Sequence, residues 1–358
     1  MPRVREVEVF HLTLPYGRRP ESILVRLTDH GGMTGWGEMV QPSPRHDGAE
    51  HRQELSKTWA ALEEALGPAL LGVDWEHPDE LGVLPGGPAV DMACWDLWAR
   101  LNGVPLAHAL GGSRTSLIAT ARLAADRSTE AVIARVNRQV CAGYAHITLD
   151  IHPGWDVEPV RAVRKAYPGL AITVDGRGAY RDVEQLAALD AYGVAAIERP
   201  FAELAPHVEL QERVSALVAV EANSLAELNE AIETKAGRAL LLRPDRFGSL
   251  REVRRAHDLA TSAGWQISAA GGSGTGLARA ATVAVASLPG CTLPADVAEP
   301  PRSAQIVNPP VGPSGGVVAV PLTQPGLGHL VDEDRVRRLA TNSFKVSSTP
   351  RRSPAGEG

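Results

Sequence analysis

Five short apolar segments in the middle of the sequence each end on a charged residue. These residues are Asp150, Asp175, Glu198, Glu221 and Arg243, so consecutive ones lie 25, 23, 23 and 22 positions apart. That spacing fits one β-strand, one helix and two loops per step, the repeat of a parallel βα array. Right-handed crossovers bring the carboxyl ends of such strands to one edge, where three of the acids, Asp175, Glu198 and Glu221, are predicted to meet as a cation site. The alternative is that they cap helices or lie in loops.

The same alternation extends on both sides of these segments. Strands are expected at 117–124, 145–151, 171–175, 194–198, 217–221, 239–243 and 265–269. An eighth strand is expected at 291–293. Seven or eight βα units favour a closed barrel over an open sheet.

The residues before this array have a different pattern. Three expected strands near 4–14, 22–28 and 33–40 form a small antiparallel sheet, and helical periodicity follows at 50–66 and 88–101. We therefore expect an α+β domain over 1–112 and a barrel over 113–300. Part of 300–341 is expected to complete the first domain, with 315–321 returning to its sheet. The small, polar residues 342–358 are expected to form a disordered tail.

Composition excludes several classes of function. A net charge of -6 and a pI near 6.0 provide no basic surface for nucleic acid, and no basic amphipathic helix suggests membrane binding. The three cysteines have no paired spacing, which argues against a disulfide framework or a zinc cluster. No apolar run approaches the length of a membrane span, and the first residues lack a signal core. We expect a cytoplasmic protein.

Several ordered motifs resemble those of the enolase superfamily, and within it the o-succinylbenzoate synthase/N-acylamino acid racemase group. The motifs are Trp36-Gly37-Glu38, Met92-Ala93-Cys94-Trp95-Asp96-Leu97, Gly103-Val104-Pro105-Leu106 to Leu110-Gly111-Gly112, Pro153-Gly154-Trp155-Asp156-Val157-Glu158-Pro159-Val160-Arg161, Val174-Asp175-Gly176, Ile197-Glu198-Arg199-Pro200 and Ala286-Ser287-Leu288-Pro289-Gly290. The resemblance runs from about residue 3 to residue 339. It implies a modified (β/α)₇β TIM-type barrel with an N-terminal α+β capping domain.

The resemblance also implies a chemistry. In this family Mg²⁺ binds the carboxylate of a small substrate, and lysine bases move the proton next to that carboxylate. Asp175, Glu198 and Glu221 match the three metal ligands. The third ligand is usually Asp in this group, and Glu serves in mandelate racemase relatives.

The lysine positions depart from the family pattern. The Lys-x-Lys motif falls on Thr148-Leu149-Asp150, and the lysine of the opposite face falls on Arg243. Arginine stays protonated and threonine has no useful basicity, so neither replaces a lysine base. The candidate catalytic residues are therefore Asp150, Arg243, Thr148 and the nearby His152, for which a solvent-facing loop position is the alternative. Asp150 and Arg243 are predicted to face one another as an ion pair.

The surroundings of the acids also depart from the pattern. Arg177 stands where the family has Asn, Arg199 where it has Gln, Ala222 where it has an acid, and Gly274 replaces another acid. Three acids in a partly dry site require positive charge, from a cation or from arginine. We expect Mg²⁺ binding that is retained but weakened, and replacement of the metal by Arg177 is the alternative.

Two functions follow from these patterns. The first is a lyase or isomerase acting on a small carboxylate at the barrel mouth, with an altered acid/base set that neither racemises N-acylamino acids nor makes o-succinylbenzoate. The second is a catalytically impaired relative that serves as a binding or scaffolding protein. The family's habit of symmetric assembly predicts a homo-oligomer.

Overall fold

The structure, a computed structural model, describes residues 2–16, 19–41, 48–126, 128–271, 274–298 and 301–348. The first three strands are β1 (Val4–Thr13), β2 (Glu21–Asp29) and β3 (Thr34–Gln41). The helices that follow are α1 (Gly48–Leu70), α2 (Gly87–Leu101) and α3 (Leu106–Ala109). The strands pair antiparallel, as the sequence analysis predicts. This sheet and its helices form the expected α+β cap.

Helix α2 packs directly on strand β3 because two glycines of the strand allow the backbones to touch. A Cβ added at Gly37 would lie 1.9 Å from the carbonyl oxygen of Ala89, and one added at Gly35 would lie 2.4 Å from that of Ala93. No side chain fits in that space. The glycine of the Trp36-Gly37-Glu38 motif is therefore required by packing, and it fixes the position of Glu38.

The next elements, up to residue 286, are two consecutive strands followed by alternating helices and strands. The strands are β4 (Ser116–Ile118), β5 (Ala121–Leu123), β6 (His146–Asp150), β7 (Ala171–Asp175), β8 (Ala196–Glu198), β9 (Leu217–Val220), β10 (Ala239–Leu242) and β11 (Gln266–Ala269). The helices are α4 (Thr129–Cys141), α5 (Val157–Ala166), α6 (Val183–Ala187), α7 (Ala205–Arg213), α8 (Leu225–Glu233), α9 (Leu250–Ser262) and α10 (Gly276–Ala286). Strands β5 to β11 form one parallel sheet in chain order. Their register pairs Asp150 with Asp175 and Asp175 with Glu198, so these strand-end acids are neighbours.

The sheet is closed by residues 293–296 rather than by the expected 291–293. Ala295 bridges to Ala119 and Asp296 bridges to Ala270, which joins the first and last parts of the sheet. Cys291 instead lies buried in the turn after α10, where its N–H bonds to Leu288. The closed barrel itself agrees with the prediction.

The C-terminal part contains a strand whose partner differs from the sequence expectation. The short strands here are β12 (Val307–Asn308), β13 (Val317–Ala319) and β14 (Leu330–Val331), and they precede helix α11 (Glu333–Leu339) and strand β15 (Ala340–Ser347). Strand β13, within the expected return at 315–321, pairs with β4 and not with the N-terminal sheet.

The strand that completes the N-terminal sheet is β15, in a region predicted to be disordered from 342 onward. It pairs antiparallel with β1. The alternation of the half-buried Phe344 and Val346 with polar residues supplies one face for packing, and the ring of Phe344 meets Trp59 edge to face at 5.1 Å. Residues 349–358 lie outside the described part of the chain. Division of the chain at residues 112 and 300 stays a prediction. Among the described helices, none is long and apolar enough to cross a membrane.

A buried acid joins the cap to the barrel and makes stability depend on pH. Asp91 of α2 accepts the N–H of Leu250 at the start of α9, at 2.7 Å. Burial raises the pKa of Asp91 to about 7, against the opposing effect of this hydrogen bond. Between pH about 4, the ordinary pKa of Asp, and pH about 7, the folded protein therefore binds more protons than the unfolded chain does. The stability of the protein falls as pH rises through this range.

We predict that Asp91→Asn, which keeps an oxygen to accept the Leu250 N–H, removes this fall. Urea unfolding at pH 5 and pH 8 measures the effect. The free energy of unfolding of the variant, relative to that of wild type, should increase by a few kcal/mol from pH 5 to pH 8, on the order of 1.4 kcal/mol per unit of pKa shift. If the two stability curves run parallel across this range, the raised pKa is not present in the folded protein.

Candidate active site

A cavity of about 920 Å³ opens at the carboxyl ends of the barrel strands. Its polar lining is dominated by charged residues, and all the cations among them are arginines: Arg122, Arg177, Arg199, Arg243 and Arg246. Pockets in this position on a (β/α) barrel hold the reacting groups, because loops from several strands converge there. The cavity is therefore the candidate active site.

The three acids predicted to converge lie at this edge. Asp175 ends β7 and is fully buried, Glu198 ends β8 and is nearly so, and Glu221 follows β9 and lines the cavity. Each accepts at least one hydrogen bond from a guanidinium group. The convergence that the spacing predicts is present, and the groups that neutralise the acids are arginine side chains.

Arg122, on the first strand of the parallel sheet, is the central cation of this cluster. Its guanidinium donates to Asp175 Oδ2 at 2.6 Å, Glu198 Oε2 at 2.7 Å and Asp296 Oδ2 at 2.8 Å, and over a longer distance to Asp150 Oδ1 at 3.5 Å. Sequence reasoning missed it because one arginine in a short strand is a weak signal. The available signal was parity: Arg122 follows Thr120 by two residues, and Thr120 faces inward and bonds to Thr148.

Arg199 is the second cation, and it immediately follows one of the acids. It donates to both oxygens of Asp175, at 3.2 Å to Oδ1, and to Glu221 Oε2 at 3.1 Å. Its φ of 45° places it in the left-handed region, which is rare for a residue with a side chain. This unusual backbone turns its side chain back over the strand ends.

Arg177 does not lie among the three acids, the position considered for it as the alternative to Mg²⁺. Its guanidinium bonds to Asp150 Oδ2 at 2.6 Å, and only its backbone N–H reaches Asp175, at 2.9 Å. Asp150 ends the neighbouring strand β6, and the φ of Arg177, 52°, is left-handed like that of Arg199. Arg122 and Arg199 supply the positive charge that the sequence analysis assigned to Arg177 or a metal.

The pKa shifts follow from burial and from these ion pairs. Burial opposes ionisation of Asp175, but Arg199 and Arg122 outweigh it and lower the pKa of this carboxyl. Burial raises the pKa of Glu198, with Arg122 acting in the opposite direction. The pKa of Arg122 is raised, because Asp296, Glu198 and Asp175 together outweigh the effect of its burial. The guanidinium groups of Arg122 and Arg199 therefore stay charged at any pH at which the protein folds.

The predicted ion pair between Asp150 and Arg243 is wrong. Asp150 is held by Arg177 and lies 3.5 Å from Arg122, whereas Arg243 donates twice to Asp245, at 3.2 and 2.8 Å. Asp245 is only two residues from Arg243, and so close a partner outcompetes one across the barrel. Arg243 nevertheless lines the cavity, as a catalytic or binding residue must.

His152 and Thr148, the other two candidate catalytic residues, lie away from the cavity. His152 is exposed, and its ring contacts the carbonyl of Pro153 at 3.1 Å. Thr148 is completely buried inside the barrel, where its hydroxyl is 2.8 Å from that of Thr120. The strand ends before His152, as the alternative reading of that residue held, and the inward position of Thr148 serves packing.

Lysine is absent from the cavity. The whole sequence contains four lysines, at Lys57, Lys165, Lys235 and Lys345, and none lines the pocket. A lysine base from another part of the barrel therefore does not replace the missing ones.

Glu38 of the cap holds the segment 274–278, near the cavity, by hydrogen bonds. The Glu38 carboxylate accepts the Thr275 N–H and hydroxyl, both at 2.7 Å, and the Ala278 N–H at 2.9 Å. A Cβ on Gly274 would lie 2.6 Å from Glu38 Oε1. Glycine is thus required at 274 because the buried acid of the cap occupies the adjacent space. Residues 272 and 273 lie outside the described part of the chain.

The three acids do not fit a Mg²⁺ ion. This ion needs about six oxygen ligands in octahedral geometry at about 2.0–2.1 Å. Asp175 has no oxygen to offer, because Oδ1 already accepts from Arg177 and Arg199, and Oδ2 from Arg122 and Arg199. Within the described residues no group of three His, Cys, Asp or Glu is arranged to hold a metal. The expected Mg²⁺ site has no support in this donor set.

The fold and the cavity define a class: a capped (β/α) barrel with acids at consecutive strand ends. The family described as enolase C-terminal domain-like matches residues 131–335. N-succinylamino acid racemase of Thermus thermophilus is 35% identical over 89% of this chain and 92% of that protein. o-Succinylbenzoate synthase of Geobacillus stearothermophilus is 32% identical over 90% of this chain and 89% of that protein.

A solved structure of an enolase superfamily member from Listeria innocua has the same architecture. Its TM-score is 0.86 at 22% identity, covering 97% of this chain and 100% of that one. The chain belongs to the enolase superfamily, and it is of the isomerase and lyase type. The predicted fold, a modified (β/α)₇β barrel with an α+β cap, is confirmed.

Proposed function

We propose that this protein is a lyase or isomerase that acts on a small carboxylate bound by arginine side chains at the barrel mouth. The observation that carries the proposal is the lining of the cavity, which contains five arginines and no lysine. Guanidinium groups bind carboxylates with paired, charge-assisted hydrogen bonds. The relatives named above supply the reaction class.

Three of the arginines keep donors for a ligand. Among the described residues, Arg246 has only an ion pair with Glu221 at 3.7 Å, and the Arg177 guanidinium has only its bond to Asp150. One terminal nitrogen of Arg243 has, within the described part of the chain, no partner closer than Glu221 at 3.9 Å. These groups would bind the substrate carboxylate and stabilise charge that develops on it.

Glu221 is the strand-end acid that lines the cavity. Among the described residues, its Oε2 accepts from Arg199, while Oε1 has only the two longer ion pairs with Arg243 and Arg246. In the proposed step, Glu221 Oε1 takes the proton from the carbon next to the substrate carboxylate. The electron pair of the broken C–H bond moves into the carboxylate, and the guanidinium groups stabilise the resulting enediolate. Return of the proton, or loss of a leaving group, completes an isomerisation or an elimination.

This arrangement differs from the one that the resemblance implies, in which lysines act on both faces. No lysine lines the cavity, so proton exchange on both faces by a pair of lysines is not supported. We therefore propose that the protein neither racemises N-acylamino acids nor forms o-succinylbenzoate.

One observation favours a second candidate, a carboxylate-binding relative without catalysis. Asp150, Asp175 and Glu198 are bonded to arginines and do not line the cavity, so among the described residues Glu221 is the one strand-end acid that faces it. A cytoplasmic location and a symmetric homo-oligomer are further proposals, the second testable by sedimentation.

The two candidates are separated by screening small carboxylates in chelator-containing D₂O. Thermal stabilisation reports binding, and ¹H NMR reports exchange or conversion. We expect at least one carboxylate to bind and to react, and Glu221→Gln to bind it about as well while reacting at least about a hundredfold more slowly. Binding without reaction across the panel supports the second candidate.

Glu227→Gln is the matched control, because Glu227 also lines the cavity but bonds to Asn223. Loss of activity in both variants would remove the role given to Glu221. Absence of binding by any carboxylate would overturn the proposal as a whole, as would racemisation of N-acylamino acids by the wild-type protein.

A further inference from the structure

Two guanidinium groups surround the acids that the family resemblance assigns to a metal. Arg122 bonds to Asp175 and Glu198, and Arg199 bonds to Asp175 and Glu221. Each of the three acids is thus held by one or both arginines. The arginines come from different strands, β5 and the end of β8, so the arrangement is produced by the fold and not by one local turn.

The charges match those of a metal site. Arg122 and Arg199 together carry two positive charges, the charge of one divalent cation. Three carboxylates with two guanidinium groups leave one negative charge, the same balance that the acids would have around Mg²⁺. Burial makes this balance important, because Asp175 is fully buried and uncompensated charge is costly there.

The hydrogen-bonding capacity of the central acid is also used. A carboxylate has about four lone-pair sites, and Asp175 accepts four N–H groups, three of them from the two guanidiniums. A metal could bind Asp175 only by displacing side chains that are themselves about four-fifths buried. Arg122 is held in addition by Asp296, in the segment that closes the barrel.

We propose that the guanidinium groups of Arg122 and Arg199 permanently occupy the place of the divalent cation, so that the site of this enolase-superfamily protein is metal-free. The positive charge of the site is then part of the covalent chain and does not depend on metal supply. This inference rests on the contacts of the acids and stands whether or not the proposed reaction is correct.

The test is a titration of chelator-treated, full-length protein with Mn²⁺, followed by EPR, in which free Mn²⁺ gives the sharp signal. We expect wild type to leave the signal unchanged up to millimolar Mn²⁺. In Arg122→Gln the acids lose one cation, and we expect Mn²⁺ to bind at least about tenfold more tightly than to wild type. Arg199→Gln is a second variant with the same expectation.

Arg135→Gln is the matched control, since Arg135 pairs with Asp126 outside the cavity and its loss should not change Mn²⁺ binding. One Mn²⁺ bound per wild-type chain would overturn the proposal. So would folded Arg122 and Arg199 variants that both fail to gain Mn²⁺, because the acids would then not be a latent cation site. If neither variant folds, the wild-type titration decides the question.

Discussion

Replacing Asp175 with alanine is expected to destabilise the protein by about 3–5 kcal/mol, the usual cost of breaking a buried ion pair. The substitution removes an acceptor of four hydrogen bonds and leaves the Arg122 and Arg199 guanidiniums partly unpaired. The sign of this change in the free energy of unfolding is informative. In an empty cluster of three acids, removal of one acid relieves repulsion and stabilises the protein.

Urea unfolding in the presence of a chelator measures this effect. Asp74→Ala is the control, because Asp74 pairs with Arg3 in an exposed position and should change stability by less than about 1 kcal/mol. Asp175→Asn, which keeps the shape but not the charge, should lie between wild type and Asp175→Ala. An Asp175→Ala protein as stable as wild type, or more so, would contradict the arginine-filled site.

Replacing Glu38 with alanine is expected to have a similar cost, about 3–5 kcal/mol, through loss of charge-assisted hydrogen bonds at a helix N-terminus. The carboxylate holds the Thr275 N–H and hydroxyl and the Ala278 N–H, and Glu38 is almost completely buried. These donors face the protein interior, where water cannot replace the acid. The start of α10 and the adjacent Gly274 should loosen together.

Thermal and urea unfolding measure the loss, and hydrogen exchange of the Thr275 and Ala278 amides locates it. Glu38→Gln retains one acceptor and should cost less, about 1–3 kcal/mol. Glu64→Ala, on the exposed face of α1, is the surface control and should stay within about 0.5 kcal/mol of wild type. Unchanged exchange at both amides in Glu38→Ala would show that the cap does not hold this helix.

Much of the fold follows from local patterns in the sequence. The strand-and-helix spacing predicts the parallel sheet, and Ser224 and Asp182 cap α8 and α6 as their positions indicate. The same spacing brings Asp175 and Glu198 to adjacent strand ends. Such features depend on residues close together in the chain, or on the direction of a strand, and patterns report both.

The choice of partner for each charge does not follow from such patterns. Arg177 and Arg199 both stand two or fewer residues from an acid, and both have a left-handed φ that the sequence does not reveal. Only Arg199 places its guanidinium on Asp175, whereas that of Arg177 lies on Asp150. Arg122 meets Asp296 across 174 positions of sequence. Pairings of that range are set by barrel closure, which periodicity cannot locate to the residue.

The pairing of β15 with β1 has a consequence for the order in which the chain folds. Val7 pairs with Val346, 339 positions later, and β2 covers only the other side of β1. During synthesis, the barrel strands therefore emerge while one edge of β1 still exposes its backbone N–H and C=O groups. Unpaired edges attract other chains, so the interval before residue 347 emerges is the time of greatest risk of aggregation. A fragment ending before residue 340 would retain that open edge permanently.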